Sequence, residues 1–209
     1  MNCIQKYFPS LNDKQQQLFE KLEACYVDWN EKINVVSRKD IQNLHLHHVL
    51  HSLSIAKFIS FEKQSRIMDL GTGGGFPGIP LAILFPEVEF HLVDSIGKKV
   101  KVCREVSKTL GLKNINCFHS RAEEIEFDYD FIVTRAVAVL PKLMHWSGNK
   151  LKKNHLNSRK NGLIALKGID QASKELNACK HKGSTELIPL KTYFEEAFFE
   201  TKSLVYLGY

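Results

Sequence analysis

The spacing of apolar residues divides the chain in two. Through residue 60 the repeat is helical: Leu18, Phe19, Leu22, Tyr26, Trp29 and Ile33 recur at intervals of one, three or four and form one apolar stripe. Asp13 stands where the N-cap of that helix is expected. A second helical segment, from about Ile41 to Phe58, carries Leu44, Val49, Leu53, Ile55 and Phe58. From Arg66 the texture changes to short β-rich runs, RIMDL, VEFHLVD, INCFHS, DFIVTRA and GLIAL, alternating with helical stretches. That alternation predicts a doubly wound parallel sheet with right-handed crossovers. The closing runs YFEEAFFE and SLVYLGY are only about two residues apart and predict an antiparallel hairpin at the sheet edge. The expected organisation is a helical extension over residues 1–60 and an α/β domain over residues 61–209, packed as one compact unit.

One stretch of the α/β region carries chemistry. In RIMDLGTGGGFPGIP, Arg66 to Pro80, a short apolar strand runs into Gly71, Gly73, Gly74 and Gly75, then into a helix start with Pro77 in its first turn. Glycine tolerates positive φ and lets a ligand touch the main chain, so a strand–glycines–helix passage is how α/β proteins approach a nucleotide. Gly73, Gly75 and Gly78 formally satisfy the dinucleotide pattern G-x-G-x-x-G, a weak signal alone. Asp94, ending the second strand, would bond ribose hydroxyls of either kind of nucleotide. Asp69, just before the first glycine, separates the two. A carboxylate there opposes a pyrophosphate and suits a ligand with a cationic end, such as S-adenosylmethionine; the same carboxylate can also bond amides of the loop.

Composition narrows the class. Apolar residues make up 44% and charged residues 25%, ordinary for a globular fold. No apolar run approaches the roughly 18 residues of a membrane helix, and the N-terminus MNCIQKYFPS has no secretory h-region. Five scattered cysteines without a CxxC pair argue against a disulfide framework or a cysteine zinc site and fit a reducing cytoplasm. His47 and His51 are spaced i, i+4, but no third ligand accompanies them, so no metal is expected. The net charge of +6 permits a polyanionic partner.

Several blocks occur in order: WNEKINVVSRKD (29–40), HHVLHSLSIA (47–56), DLGTGGGFPGIPLAI (69–83), LVDSIGKKV (92–100), SRAEE (120–124), TRAVAVL (134–140) and ALKG (165–168). Together they resemble the bacterial small-subunit ribosomal RNA methyltransferase G family, the glucose-inhibited division protein B group, from about Trp29 to the end. The resemblance implies a class I S-adenosylmethionine-dependent methyltransferase, Rossmann-like with an antiparallel C-terminal hairpin, acting on guanine nitrogen 7 in small-subunit rRNA. It implies that Gly71, Gly73 and Phe76 line the methionine and adenosine portions of the cofactor, that Asp94 bonds the ribose, and that Ala122 and Glu123 border the adenine. Arg135 would face cofactor and target base as the candidate catalytic residue, since arginine pairs well with the guanine edge. Substrate-side candidates are Asn34, His48, Lys98, Lys99, Arg121 and Lys167.

Where the family often has aspartate this chain has His51, so no role is carried over to that position. Guanine nitrogen 7 bears a lone pair and no proton, which makes a general base unnecessary. Consistently, the fourth strand runs into Thr134-Arg135-Ala136 and not into an Asn-Pro-Pro-Tyr-like motif. The basic run SGNKLKKNHLNSRKNG, Ser147 to Gly162, with five Lys/Arg and no acid, reads as a surface loop or as a clamp on RNA phosphates. A monomer acting on rRNA or a ribosomal particle is the expected form. A nicotinamide-dependent oxidoreductase and an RNA-binding module without catalysis are the competing readings.

Overall fold

The computed structural model describes residues 2–37 and 39–209. Its centre is a seven-stranded sheet of order β3-β2-β1-β4-β5-β7-β6. The strands are β1 Arg66–Leu70, β2 Glu89–Asp94, β3 Ile115–His119, β4 Phe131–Arg135, β5 Gly162–Gly168, β6 Ser184–Pro189 and β7 Lys202–Gly208. β1 to β5 pair in parallel, and β7 runs antiparallel to both β5 and β6.

The period-2 alternation of strands assigns their side chains to two cores. Ile67, Phe90, Phe131 and Val133 face one core with helices α2 Asp13–Lys32, α3 His51–Phe58, α4 Gly78–Leu84 and α5 Gly97–Thr109. Met68, Val93, Ile132 and Leu163 face the other, under α6 Leu140–Ser147 and α7 Ile169–Ala178. The N-terminal segment, including α1 Asn2–Tyr7, adds Ile4, Phe19, Leu22, Tyr26 and Leu53 to the first of these clusters, so it completes the main core.

Two local expectations shift. Helix α2 is capped by Asn12, one residue before the expected Asp13. Asn12 Oδ1 accepts from Gln15 N at 2.9 Å and Gln15 Oε1 accepts from Asn12 N at 3.1 Å; the reciprocal pair satisfies two amides, which Asp13 with Gln16 does not. The C-terminal hairpin exists, but its first strand is Ser184–Pro189. The expected partner YFEEAFFE follows a helical turn at Leu190–Thr192 and winds into a second one at Ala197–Thr201. Its aromatics do not alternate, and Phe194 and Phe199 stack at 4.3 Å inside the main core.

The second helical segment is wound unevenly: a 3₁₀ turn at Ile41–Asn43, a π-helix over Leu44–Leu50, then α3. Wide i→i+5 winding is uncommon and often accompanies functional residues.

The basic loop after α6 lies at the amino ends of the parallel strands. Lys152 Nζ bonds the buried Asp130 carboxylate at 2.7 Å, and the same oxygen accepts from Arg66 N at 2.7 Å. Lys150 Nζ donates to Ile125 O at 2.5 Å. Arg159 lies over the Phe58 ring at 3.8 Å and pairs with Glu186. These cations answer acids and carbonyls distant in sequence, at the end of the sheet where β1 and β4 begin. The structure therefore gives Lys150 and Lys152 internal partners.

The turn after α2 hangs on one buried side chain. Asn30 Oδ1 accepts from Val35 N and Val36 N, each at 2.9 Å, and so lays Val35 against Gly74. Asn30→Ala leaves both amides without that acceptor and should cost about 1–3 kcal/mol in urea unfolding, with an unchanged slope. A loss under about 0.5 kcal/mol would show that the turn is held by packing alone.

Candidate active site

The sheet reverses its winding between β1 and β4, and ligands of open α/β sheets bind beyond the carboxyl ends of strands at such a point. A cleft of about 460 Å³ lies there. Gly71, Gly73, Phe76, Asp94, Ala122, Glu123 and Arg135 all line it, together with Lys99 and Arg121. The elements explain the convergence: the glycine loop caps β1, Asp94 ends β2, Ala122–Glu124 form a 3₁₀ turn after β3, and Arg135 ends β4. Lys98 and Asn34 are exposed beside the lining residues Lys99 and Val35. Lys167 is elsewhere. It is 6% exposed, with Nζ 2.8 Å from Ala138 O and 3.2 Å from Glu175 Oε2. Strand alternation turns it beneath α7, so it reaches no RNA phosphate.

The glycine loop keeps its amides to itself. Gly71 N and Thr72 N donate to Val93 O at 2.8 and 3.0 Å, and Gly75 N and Phe76 N to Thr72 O at 2.9 and 3.0 Å. Gly73 N donates to Asp94 Oδ2 and Gly78 N to Asp69 Oδ2, at 2.9 and 2.8 Å. A pyrophosphate site needs such amides aimed outward at the anion. Here two carboxylates at neighbouring strand tips take them. Of the two, Asp94 lines the cleft, while Asp69 lies buried beneath the loop. The surface left at the glycines offers an acid and no amide cradle for a phosphate, which matches a ligand with a cationic end. Gly73 achieves this at φ +58, and a Cβ on Gly78 would sit 2.7 Å from Asp69 Oδ2 and 2.9 Å from Leu92 Cδ1.

Asp69 serves the loop. It is fully buried, its Oδ2 also accepts from Thr72 Oγ1 at 2.6 Å, and its Oδ1 has no partner among the described residues. Burial pushes its carboxyl up to about 7, against the pull of the Thr72 and Gly78 bonds and of Arg135. Asp94 lies at the cleft surface, accepting from Gly73 N and Ile96 N, the latter at 2.9 Å. Each of its oxygens retains a further lone pair.

Arg135 forms the wall facing the N-terminal segment. Its guanidinium lies over the Phe76 ring at 5.0 Å and donates to His48 Nδ1 at 3.0 Å and to His47 O at 3.3 Å. Burial lowers it to about 10, partly offset by Asp69, and it stays charged at neutral pH. His48 is held down at about 4 by burial and by Arg135, hence neutral. Asp40 joins both histidines, Oδ1 to His47 Nδ1 at 2.6 Å and Oδ2 to His48 Nε2 at 2.7 Å. Burial pushes the Asp40 carboxyl up, but the two imidazole bonds outweigh it and hold the group below its ordinary value.

Sequence reasoning did not single out Asp40, although it closes the block WNEKINVVSRKD. It also missed Tyr26, whose ring packs at a tilt against Phe76 at 4.8 Å and whose hydroxyl donates to Gly74 O. Tyr26 belongs to an apolar helical stripe, where nothing local distinguishes a core ring from one beneath a site. Trp146 and Val137, both lining the cleft, likewise carry no signal of their own. His51 is buried against Phe198 and Phe199 at 5.5 and 6.2 Å, away from the lining.

Because the Asp69 carboxyl is raised, the folded chain keeps a proton that the unfolded chain, near 3.9, releases. Its contribution to stability therefore falls as pH rises from about 4 to about 7. Asp69→Asn retains an acceptor for Thr72 and Gly78 but cannot ionise. Between pH 5 and pH 8 the unaltered chain should lose up to about 3 kcal/mol relative to that variant in parallel denaturant titrations. A difference that does not change with pH would mean the carboxylate is ionised throughout.

A family model described as rRNA small subunit methyltransferase G, GidB, matches residues 15–195. The chain is 56% identical over 207 residues to the ribosomal RNA small subunit methyltransferase G of Christiangramia forsetii, covering 99% of this chain and 96% of that protein. It is 55% identical to the protein of the same name from Phocaeicola vulgatus, covering 99% and 98%. Among solved structures, a SAM dependent methyltransferase from Aquifex aeolicus shares the fold, with a TM-score of 0.56 at 15% identity over 79% of this chain and 91% of that one. With its glycine loop, strand-tip acids and reversed seventh strand in the expected places, the chain belongs to the rRNA small subunit methyltransferase G family.

Proposed function

We infer that this protein methylates nitrogen 7 of a guanine in small-subunit ribosomal RNA, using S-adenosylmethionine. The observation that carries the cofactor half is the glycine loop, where the amides of Gly71, Thr72, Gly73, Gly75, Phe76 and Gly78 end on Asp69, Asp94 and neighbouring carbonyls, with Asp94 at the cleft. Family membership carries the RNA half.

When bound, the cofactor supplies a methyl carbon made electrophilic by its sulfonium. The protein's work is alignment and exclusion of water, because the nucleophile is a ready lone pair. In this reading Gly71, Gly73 and Phe76 border the methionine and adenosine portions, the remaining lone pairs of Asp94 take the ribose hydroxyls, and Ala122 and Glu123 border the adenine. Arg135 pairs with the guanine oxygen beside nitrogen 7. Its cation is balanced from behind by Asp40 through His48, which limits repulsion of a purine that gains positive charge on methylation. Lys98, Lys99, Arg121 and Asn34 lie at the cleft or beside it and approach the RNA. The protein works as a monomer in the cytoplasm; among the described residues no helix is long and apolar enough to cross a membrane.

Mass mapping of rRNA incubated with enzyme and donor should find one added methyl on a guanine, and RNA carrying 7-deazaguanine at that position should gain none. Incorporation into the deaza RNA would refute nitrogen 7 as acceptor. The donor should raise the melting temperature and NAD should not. Arg135→Leu should lower kcat/KM for RNA roughly 10- to 100-fold, matching the value of one good base-edge contact. A change below about twofold would remove Arg135 from the site.

A further inference from the structure

We propose that Asp40 and His48 form a positioning relay that fixes the direction of the Arg135 guanidinium, with His48 held as the neutral tautomer protonated on Nε2. The assignment follows from donor and acceptor chemistry. A guanidinium has only donors, so the 3.0 Å contact between Arg135 and His48 Nδ1 requires a lone pair on Nδ1. The ring proton then belongs on Nε2, 2.7 Å from Asp40 Oδ2, which can only accept while ionised. One tautomer satisfies both contacts; the other breaks both, and the doubly protonated ring breaks the bond to Arg135.

The rest of the arrangement makes that bond directional. Asp40 is itself oriented, because its second oxygen bonds His47 Nδ1 at 2.6 Å. The His47 ring is in turn stacked on Phe198 at 4.1 Å and 13°. His47 O accepts from the other terminal nitrogen of Arg135, and Phe76 covers one face of the guanidinium. Beyond Arg135 the chain leaves β4 through Ala136 at φ +53, a left-handed conformation that non-glycine residues adopt rarely and that marks a sharp departure from the strand. Of the five guanidinium N–H groups two are engaged by residues 47 and 48; the other three make no hydrogen bond among the described residues, and Arg135 lines the cleft. The cost of ordering a long side chain then falls on folding and not on substrate binding.

The relay rests on the reading that Arg135 meets the target guanine. Nitrogen-15 NMR of the full chain at pH 7.5 should show His48 protonated on Nε2 alone, and Asp40→Ala should weaken that preference. His48→Leu removes the acceptor and should lower kcat/KM for small-subunit RNA about tenfold or more, with donor affinity by calorimetry changed less than about threefold. His48→Asn restores an acceptor near the Nδ1 position and should recover most of that loss. A wild-type His48 protonated on Nδ1 or on both nitrogens would overturn the relay, as would equal activity of the Leu and Asn variants. Should the Leu variant fail to fold, the tautomer of the unaltered chain still decides. Absence of methyl incorporation by the unaltered chain would fault the activity reading alone, leaving the relay to the NMR result.

Discussion

The hydrogen bonds that two strand-tip carboxylates accept from the glycine loop are the constraint on which the site depends. Asp69 ties Thr72 and Gly78, the two ends of the loop, to the tip of β1, and Asp94 ties its middle at Gly73 to the tip of β2. The loop thus takes its shape from acids rather than from an anionic ligand. Once those amides are committed inward, the same backbone that would cradle a phosphate in another α/β protein presents carbonyls, glycine Cα atoms and carboxylate edges. The glycines are therefore as necessary here as in a dinucleotide site, and for an opposite electrostatic result.

The N-terminal segment completes the site as well as the core. Tyr26 bonds Gly74, Val35 packs against Gly74, and His47 and His48, both held by Asp40, bond Arg135. Removing this segment would bare the main core and release both the loop and the arginine. The 1–60 extension and the sheet share one hydrophobic cluster, so cofactor-side and base-side geometry are set by the same packing.

Sequence made the cofactor side legible because its determinants are local. A strand ending in Asp69, a glycine loop and a carboxylate closing the next strand are adjacent in the chain, and the fold brings neighbouring strands together by rule. Arg135 was legible for the same reason, as the last residue of a strand beside β1. Position at a strand end does not specify a face. Lys167 shows this, sharing the carboxyl end of its strand with the site yet turned beneath α7 to Glu175. Tyr26 acts through contacts about 50 positions away, and Asp40 through His48, whose partner Arg135 is 87 positions further on; only the packing of α2 and the π-wound segment reveals them. The hairpin formed, but with β6 as its first strand; the run YFEEAFFE, expected there because it stands only about two residues before the last strand, places Phe194 and Phe199 in the core and not in a ladder.

Charge placement explains why an arginine is tolerable beside chemistry that involves a cationic donor and generates a cationic base. Alone in the wall, a guanidinium would repel both. In this cleft it faces Asp69 within the protein and is backed by Asp40 across a neutral imidazole, so the cation belongs to a chain with a carboxylate at its far end. A lysine at position 135 would keep the charge but lose the planar fork that bonds His48, His47 and a base edge together. The arginine is thus required for its shape, and the acids around it for its charge. The strand-tip carboxylates and the relay are two parts of one electrostatic arrangement, in which each cation entering the cleft meets an anion already fixed by backbone or imidazole hydrogen bonds.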